Sequence, residues 1–122
     1  MKFAQDSQDE GYVITSYDET TISINGKAFA SSLIISSQQL DKNWDLTAIE
    51  LLAEAHIEKI LSLKPELIII GTGNKLVFPP AEAYSAAISF GIGIDFMDTR
   101  AACRTYNILM SENRNIVAGL IL

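Results

Sequence analysis

The first third of the chain alternates between apolar and polar residues in short runs, which is the period of a β-strand. Residues 20–24 place Thr and Ser side chains on one face and isoleucine side chains on the other. Asn25 and Gly26 follow, and this pair favours a two-residue hairpin because both central residues of a type I′ turn need a positive φ. The pattern therefore predicts an antiparallel β-meander. Its other strands are residues 12–17, 27–29 and 33–35.

The remainder of the chain alternates between helical patterns and buried-strand patterns. A loop at residues 36–45 precedes Thr47 and Glu50, whose spacing is that of a capping box and predicts a helix from residue 47 to about 63. At residues 66–70 four apolar residues follow Glu66 without interruption, which is typical of a strand buried on both faces of a parallel sheet. The later predicted elements are an extended piece at 76–78, a helix at 80–90, a strand at 92–97, a helix at 100–112 and a strand at 115–122.

The order of these elements predicts the fold class. From residue 47 onward helices and strands alternate, which requires a sheet covered by helices with right-handed crossovers. We expect a three-layer α/β fold in which the N-terminal antiparallel β-meander packs with a mixed, mostly parallel sheet flanked by helices. A length of 122 residues accommodates one core. The predicted organisation is a flexible N-terminal arm at residues 1–10 and a single domain at residues 11–122.

Charge and cysteine content narrow the function classes. With 15 acidic and 9 basic residues the net charge is -6, which disfavours binding to nucleic acids and to anionic lipid surfaces. Cys103 is the only cysteine, which excludes an internal disulfide and suits a reducing compartment. The start of the chain has no apolar signal core, and no uncharged run is long enough to cross a bilayer. We therefore expect a soluble, cytoplasmic protein without membrane insertion.

A glycine-rich turn, Gly71-Thr72-Gly73-Asn74, follows the predicted strand at residues 66–70. In open α/β sheets ligands bind beyond the carboxyl ends of the strands, where free backbone amides can receive an anion. The turn lacks the third glycine of a dinucleotide-binding motif, and it is not a P-loop. The simpler interpretation is a tight turn that needs the positive φ of glycine.

A second candidate is the start of the last predicted helix, at Asp98, Thr99 and Arg100. Free amides and the helix dipole make such a start a possible anion site, and an ordinary N-cap by Asp98 or Thr99 is the structural alternative. If the strands before the two turns are neighbours in the sheet, this helix start lies beside the Gly71 turn. Only that adjacency would make the two turns a binding site.

Arg100 and Arg104 lie four residues apart, and Asn107 and Ser111 continue the same outer stripe of the predicted helix. Two guanidinium groups at this spacing could clamp a carboxylate, a phosphate or an acidic partner. The alternative is a solvated helix face without a binding role. The opposite, inner face of the helix is predicted to be apolar. Its residues are Ala102, Cys103, Tyr106, Leu109 and Met110.

No set of residues with catalytic or metal-binding spacing emerges from the sequence. Cys103 falls on the apolar side of its helix, and the only histidine, His56, is remote in sequence, so a nucleophile and base pair is not indicated. We interpret Cys103 as a small buried hydrophobe, His56 as a half-buried or surface residue, and Trp44 as part of the core. The sequence predicts no catalytic residue, no metal site and no cofactor.

Four segments of the chain, in this order, resemble a known family. They are Ser16-Tyr17 with residues 22–26, Trp44, residues 70–73, and residues 97–109, and the last of these is followed by Arg114. Together they resemble a small α/β family first described from an archaeal protein of unknown function, which also includes a mitochondrial respiratory complex I assembly factor. The resemblance spans residues 12–122 and implies the three-layer fold described above. It implies no established enzymatic activity, and it transfers no catalytic residue.

Two hypotheses for function stay open at this point. The first is a non-enzymatic binding or assembly module whose surface consists of the Gly71 turn, the Thr99 helix start and the Arg100/Arg104 stripe. The second is a small-molecule site, in a binding protein or an enzyme, that holds an anionic ligand in the same crevice. The sequence leaves the oligomeric state open.

Overall fold

The computed structural model describes residues 11–122, so the predicted arm at residues 1–10 lies outside the described residues. The strands are β1 Ile14–Tyr17, β2 Ile22–Ile24, β3 Lys27–Phe29, β4 Leu33–Ile35, β5 Leu40–Asp41, β6 Leu67–Gly71, β7 Gly93–Met97 and β8 Ile116–Leu120. The helices are α1 Glu54–Leu61, α2 Ser85–Ser89 and α3 Thr99–Met110. Short 3-10 turns at Ile49–Leu51 and Ala81–Tyr84 precede α1 and α2.

The predicted meander forms a separate three-stranded antiparallel sheet in the order β1-β2-β3. Asn25 and Gly26 connect β2 to β3 with φ values of 49° and 87°, which confirms the hairpin turn. The fourth strand, β4, does not continue the meander as predicted. It pairs instead with β8 and β5 in the second sheet, because its three residues are all buried and need neighbours on both sides and both faces.

The second sheet is mixed and has five strands in the order β5-β4-β8-β6-β7. β6 pairs in parallel with β7 and with β8, whereas β4 pairs antiparallel with β8 and β5. The last strand of the chain, β8, is central, and all five of its residues are buried. β5 lies within the stretch 36–45 that the sequence indicated as a loop, and residues 76–78 form no strand.

The five-stranded sheet is the middle layer. On one face the isoleucines of β1 and β2 pack with α3 against the sheet, and on the other face α1 and α2 cover it. This arrangement confirms the predicted three-layer α/β class, with the meander and α3 sharing one outer layer.

The first two helices, α1 and α2, are shorter than the sequence indicated. Leu52 has φ -57° and ψ 127°, which interrupts the predicted helix from residue 47 and allows its own side chain to be buried. Helix α1 therefore begins later, where the Ala53 N–H donates to His56 Nδ1 at 2.9 Å, so the predicted capping box at Thr47 and Glu50 is wrong. The predicted helix at 80–90 is likewise divided into a 3-10 turn and α2.

Candidate functional site

The Gly71 turn and the start of α3 lie side by side, because β6 and β7 are hydrogen-bonded neighbours. The Gly73 N–H donates to Thr99 Oγ1 at 2.8 Å, and the Thr99 N–H donates to the Gly73 carbonyl at 2.9 Å. The Thr72 N–H donates to the Met97 carbonyl at 2.8 Å. The two turns that the sequence singled out separately are thus joined by reciprocal hydrogen bonds. We call Gly71, Thr72, Gly73 and Thr99 the buried junction.

The buried junction is closely packed. Thr99 is 7% exposed and Thr72 is 6% exposed, and Thr99 Oγ1 also donates to the Ile121 carbonyl at 2.7 Å. A Cβ atom on Gly71 would lie 2.9 Å from both Thr99 Cα and Thr99 Oγ1. Gly71 is therefore needed for close approach between β6 and α3, whereas Gly73 has a φ of 103° and fits the predicted need for a positive φ.

The amides at the start of α3 are largely engaged within the protein. Asp98 is the N-cap, and its carboxylate accepts the Ala101 N–H at 2.9 Å. The Thr99 N–H and the Gly73 N–H are also donors to groups of this chain. An anion at this helix start would have to compete with these bonds, so the backbone contributes little to a binding site here.

The exposed members of the predicted site lie at the edge of the buried junction. Asn74, Arg100 and Arg104 are exposed. Arg104 Nη1 donates to the hydroxyl of Tyr17 at 3.2 Å, and Arg100 borders a surface cleft formed with the turn between β1 and β2. We call this region the arginine cleft. Its residues are Tyr17, Asp18, Glu19, Thr20, Arg100 and Arg104.

Both signs of charge occur in the arginine cleft, but one carboxylate is already engaged. Asp18 Oδ1 accepts the N–H groups of Thr20 and Thr21, each at 2.8 Å, and these two bonds hold the pKa of Asp18 below its ordinary value. Glu19 is exposed and forms no ion pair among the described residues. The cleft therefore offers two cationic side chains, one acid that fixes a turn, and one available acid.

The structure separates Asn107 from the exposed stripe to which the sequence assigned it. The Asn107 side-chain amide accepts the Ile14 N–H at 3.0 Å and donates to the Ile14 carbonyl at 2.7 Å, as a neighbouring strand would. The hydroxyl of Tyr106 donates to the Tyr12 carbonyl at 2.8 Å. These contacts attach α3 to the meander. No periodicity in the sequence indicates these contacts, because the main-chain groups to which they bond come close to α3 only when the chain folds.

Three side chains to which we assigned structural roles from the sequence pack within the fold. They are Cys103, His56 and Trp44. Cys103 is buried, and burial raises the pKa of its thiol to about 12, which opposes formation of a nucleophilic thiolate. His56 is half-buried, and its Nε2 lies 3.2 Å from Asp45 Oδ1. Trp44 is buried and packs over Gly119, where an added Cβ would lie 2.6 Å from the indole ring.

Comparison with known proteins finds a family of unknown function and related solved structures. The sequence profile of a family described as "Protein of unknown function (DUF498/DUF598)" matches residues 14–121. A protein of Bordetella parapertussis, solved by crystallography, has a TM-score of 0.85 and 28% sequence identity to this chain, covering 90% of it and 94% of that protein. Its resemblance over nearly the whole length of both chains supports the three-layer fold.

Two curated relatives carry more informative names. The "13 kDa major membrane protein" of Francisella tularensis is 40% identical over 90 residues, which are 73% of each chain. The rat "NADH dehydrogenase [ubiquinone] 1 alpha subcomplex assembly factor 3" is 28% identical over 123 residues, covering 99% of this chain and 66% of the rat protein. This chain thus spans about two thirds of the rat protein's length. Within residues 11–122 no helix is long and apolar enough to cross a membrane.

Proposed function

Because this chain belongs to the DUF498/DUF598 family of proteins of unknown function, we propose that it is a non-enzymatic binding module of the assembly-factor type. Its partner surface in this proposal is the arginine cleft together with the exposed Asn74. The buried junction serves as the rigid support of that surface. The observation that carries the proposal is the exposure of Arg100 and Arg104 on a helix whose start is fixed by internal hydrogen bonds.

The chemistry of the arginine cleft suits a protein partner. A guanidinium group presents a planar set of donors that matches a carboxylate in two parallel hydrogen bonds. The contact between Arg104 and Tyr17 orients one such group before binding, which lowers the entropy that binding must offset. The rat relative is named as an assembly factor, which supports a partner-binding role for the family.

The alternative is a small anionic ligand at the same place. Fewer hydrogen-bond donors are available to bind it. The amides of Gly73, Thr99 and Ala101 already donate within the chain, so such a ligand would depend on Arg100 and Arg104. A thermal-shift screen of phosphorylated metabolites, nucleotides and carboxylates separates the two hypotheses. A ligand at one hundred times its dissociation constant would stabilise the protein by about 2.7 kcal/mol, which is readily measured.

Site-specific photo-crosslinking in the native host tests the partner surface. A crosslinking amino acid at the exposed position 74 should capture a discrete partner, whereas the same amino acid at the exposed position Glu112, beyond the far end of α3, should not. Capture at position 74 should disappear when Arg100 and Arg104 are both changed to Ala. Equal capture from both positions, or a co-purifying partner that binds Arg100→Ala plus Arg104→Ala at the wild-type level, would remove the surface assignment.

Cytoplasmic location is part of the same proposal and has its own test. The Francisella relative is named as a membrane protein, so the membrane fraction is the competing outcome. Fractionation of cells that express the chain at its natural level should place it with the proteins that need no detergent. Recovery only after detergent extraction would contradict the proposed location.

A further inference from the structure

The edge strand β7 has hydrogen-bonding groups that no described residue uses. β7 is the last strand of the five-stranded sheet, and it pairs only with β6 among residues 11–122. The Met97 carbonyl accepts the Thr72 N–H, so the main chain of Met97, and by alternation that of Asp95 and Gly93, is directed at β6. The N–H and C=O groups of Ile94 and Phe96 are therefore directed away from the sheet. Exposed strand edges of this kind are templates for pairing.

An apolar groove lies beside the start of this edge. Its lining includes Leu61, Pro65, Phe90 and Ile92 together with the charged residues Glu58 and Lys64, and its volume is about 450 Å³. Phe90 is 72% exposed, which is unusual for a phenylalanine side chain. The groove lies on the side of the sheet that α1 and α2 cover. Side chains that alternate along an added strand would face this side at every second residue.

Exposed apolar side chains are concentrated in the same layer. Of the six large hydrophobic residues that are exposed within the described range, only Ile108 belongs to α3. The other five flank or belong to the α1 and α2 layer. They are Leu51, Leu76, Phe78, Ile88 and Phe90. Of these five residues Phe90 lines the groove, so its exposed ring is the apolar surface that an added strand would cover.

We propose that β7 is a docking edge for an extended segment of a different protein, which adds to the sheet as a further strand. The segment alternates apolar residues, one of which enters the groove at Phe90 and Ile92, with basic residues, one of which lies beside Asp95. Main-chain hydrogen bonds to Ile94 and Phe96 supply affinity, and the groove and Asp95 supply specificity. This proposal is separate from the arginine cleft and does not depend on it.

The negative charges of Asp95 and of the whole chain favour a segment of a different protein over a second copy of this chain as the partner of β7. An antiparallel pair of β7 strands in which Ile94 of each copy bonds to Phe96 of the other would place the two Asp95 residues directly opposite each other. Like charges in that position destabilise a strand pair, and each copy also carries a net charge of -6. A basic segment meets neither obstacle. Asp95 is exposed, so its carboxylate is available to such a partner.

The probes for the test are two capped nine-residue peptides that alternate valine with lysine or valine with glutamate. In the wild-type protein, the lysine peptide should slow hydrogen exchange at the amides of Ile94 and Phe96. It should bind about tenfold more tightly than the glutamate peptide, because one cross-strand pair changes from repulsive to attractive. Equal affinities, or no change in exchange at these two amides, would overturn the proposal.

Four variants test whether pairing at β7, and not a diffuse charge effect, sets this preference. Asp95→Lys should invert the preference between the peptides, whereas Glu112→Lys makes the same change of charge at an exposed position outside β7 and should leave the preference intact. Ile94→Pro removes one outward N–H and should abolish protection at Phe96, and Ile94→Val keeps it. If Ile94→Pro does not fold, the Asp95→Lys inversion decides alone. Slow exchange of Ile94 and Phe96 without peptide, together with a dimeric mass, would identify a second copy as the occupant and refute the proposal.

Discussion

Thr99 and Arg100 are adjacent in the chain, but Thr99 is 7% exposed and Arg100 is on the surface. The hydroxyl of Thr99 is bonded to the Gly73 amide and to the Ile121 carbonyl. No described residue forms an ion pair with Arg100 or Arg104. The sequence suggested one site at this place, whereas the structure contains two regions with different physical character.

We expect the buried junction to contribute stability and, under the proposed function, the arginine cleft to contribute partner binding. Groups that are buried and fully paired contribute to the folded state, and their loss leaves partners unsatisfied. Exposed charged groups contribute little to stability and are available to other molecules. We expect the buried junction to fix the position of α3 and the arginine cleft to bind a partner from that position. Variants of each region should therefore affect different measurements.

Gly71→Ala should cause the largest loss of stability. The new Cβ would lie 2.9 Å from the backbone of Thr99, which cannot yield without moving α3 away from β6. We expect a loss of about 1–3 kcal/mol in the free energy of unfolding, measured by urea denaturation. Gly93→Ala on the neighbouring strand is the control, since its Cβ would meet only the flexible end of Leu67 at 3.2 Å. Equal losses in the two variants would contradict the close packing of the buried junction.

Thr99→Val should cause a similar or somewhat smaller loss. Valine has almost the same shape, but it leaves the Gly73 amide and the Ile121 carbonyl without their partner, at a cost of about 1–3 kcal/mol. Thr99→Ser keeps the hydroxyl and should retain most of the stability. A Thr99→Val protein as stable as the wild type in thermal and urea unfolding would show that these hydrogen bonds contribute nothing.

Two buried side chains on the inner face of α3 should make the stability of the protein depend on alkaline pH. The pKa of Cys103 is raised from its ordinary value of 9.0 to about 12 in the folded protein, so above pH 9 the unfolded chain releases a proton that the folded chain retains. Stability should therefore fall as the pH rises from 9 toward 12, by at most about 1.4 kcal/mol per pH unit from this group.

Cys103→Ala isolates this contribution. Burial also raises the pKa of Tyr106, so a part of the alkaline loss should persist in the variant. Unfolding curves between pH 8 and 11 should show a steeper decline for the wild type than for Cys103→Ala. Identical slopes would mean that the thiol is accessible to solvent. A thiol reagent that modifies Cys103 in the native protein at the rate of a free cysteine would lead to the same conclusion.

The smallest effect on stability is expected for Arg100→Ala combined with Arg104→Ala. The pair loses one exposed hydrogen bond, from Arg104 to Tyr17, so the free energy of unfolding should change by less than about 0.5 kcal/mol. Arg114→Ala is a suitable control, because it removes an exposed arginine at a different part of the surface. A large loss of stability in the double variant would show that the two arginines stabilise the fold.

The sequence predicted the fold class because its strongest signals are local. The apolar runs of β6 and β8 and the Asn25-Gly26 turn require only neighbouring residues to be recognised. It could not assign β4 to the second sheet, because three consecutive apolar residues do not specify which strand they pair with. The helix predicted from residue 47 was too long, because burial of Leu52 overrides a favourable capping pattern.

Sequence reasoning predicted that the two turns could be adjacent, but it did not predict their division into a buried and an exposed region. The spacing of Arg100 and Arg104 correctly indicated an exposed face of α3. The role of Gly71 was not visible, since its need for close approach arises from Thr99, 28 positions later, and from no local conformation. Asn107 was assigned to solvent for the same reason, because its partner Ile14 is 93 residues away in the chain. Long-range contacts of this kind leave no periodic trace in a single sequence.

The most direct test measures stability and partner capture together on two matched variants. Photo-crosslinking at position 74 in the native host reports partner binding, and urea unfolding of the same proteins reports stability. Arg100→Ala plus Arg104→Ala should lose capture at wild-type stability, and Thr99→Val should lose stability but retain capture while it is folded. Capture that survives the arginine changes, or that disappears from folded Thr99→Val, would contradict the separation of the buried junction from the arginine cleft.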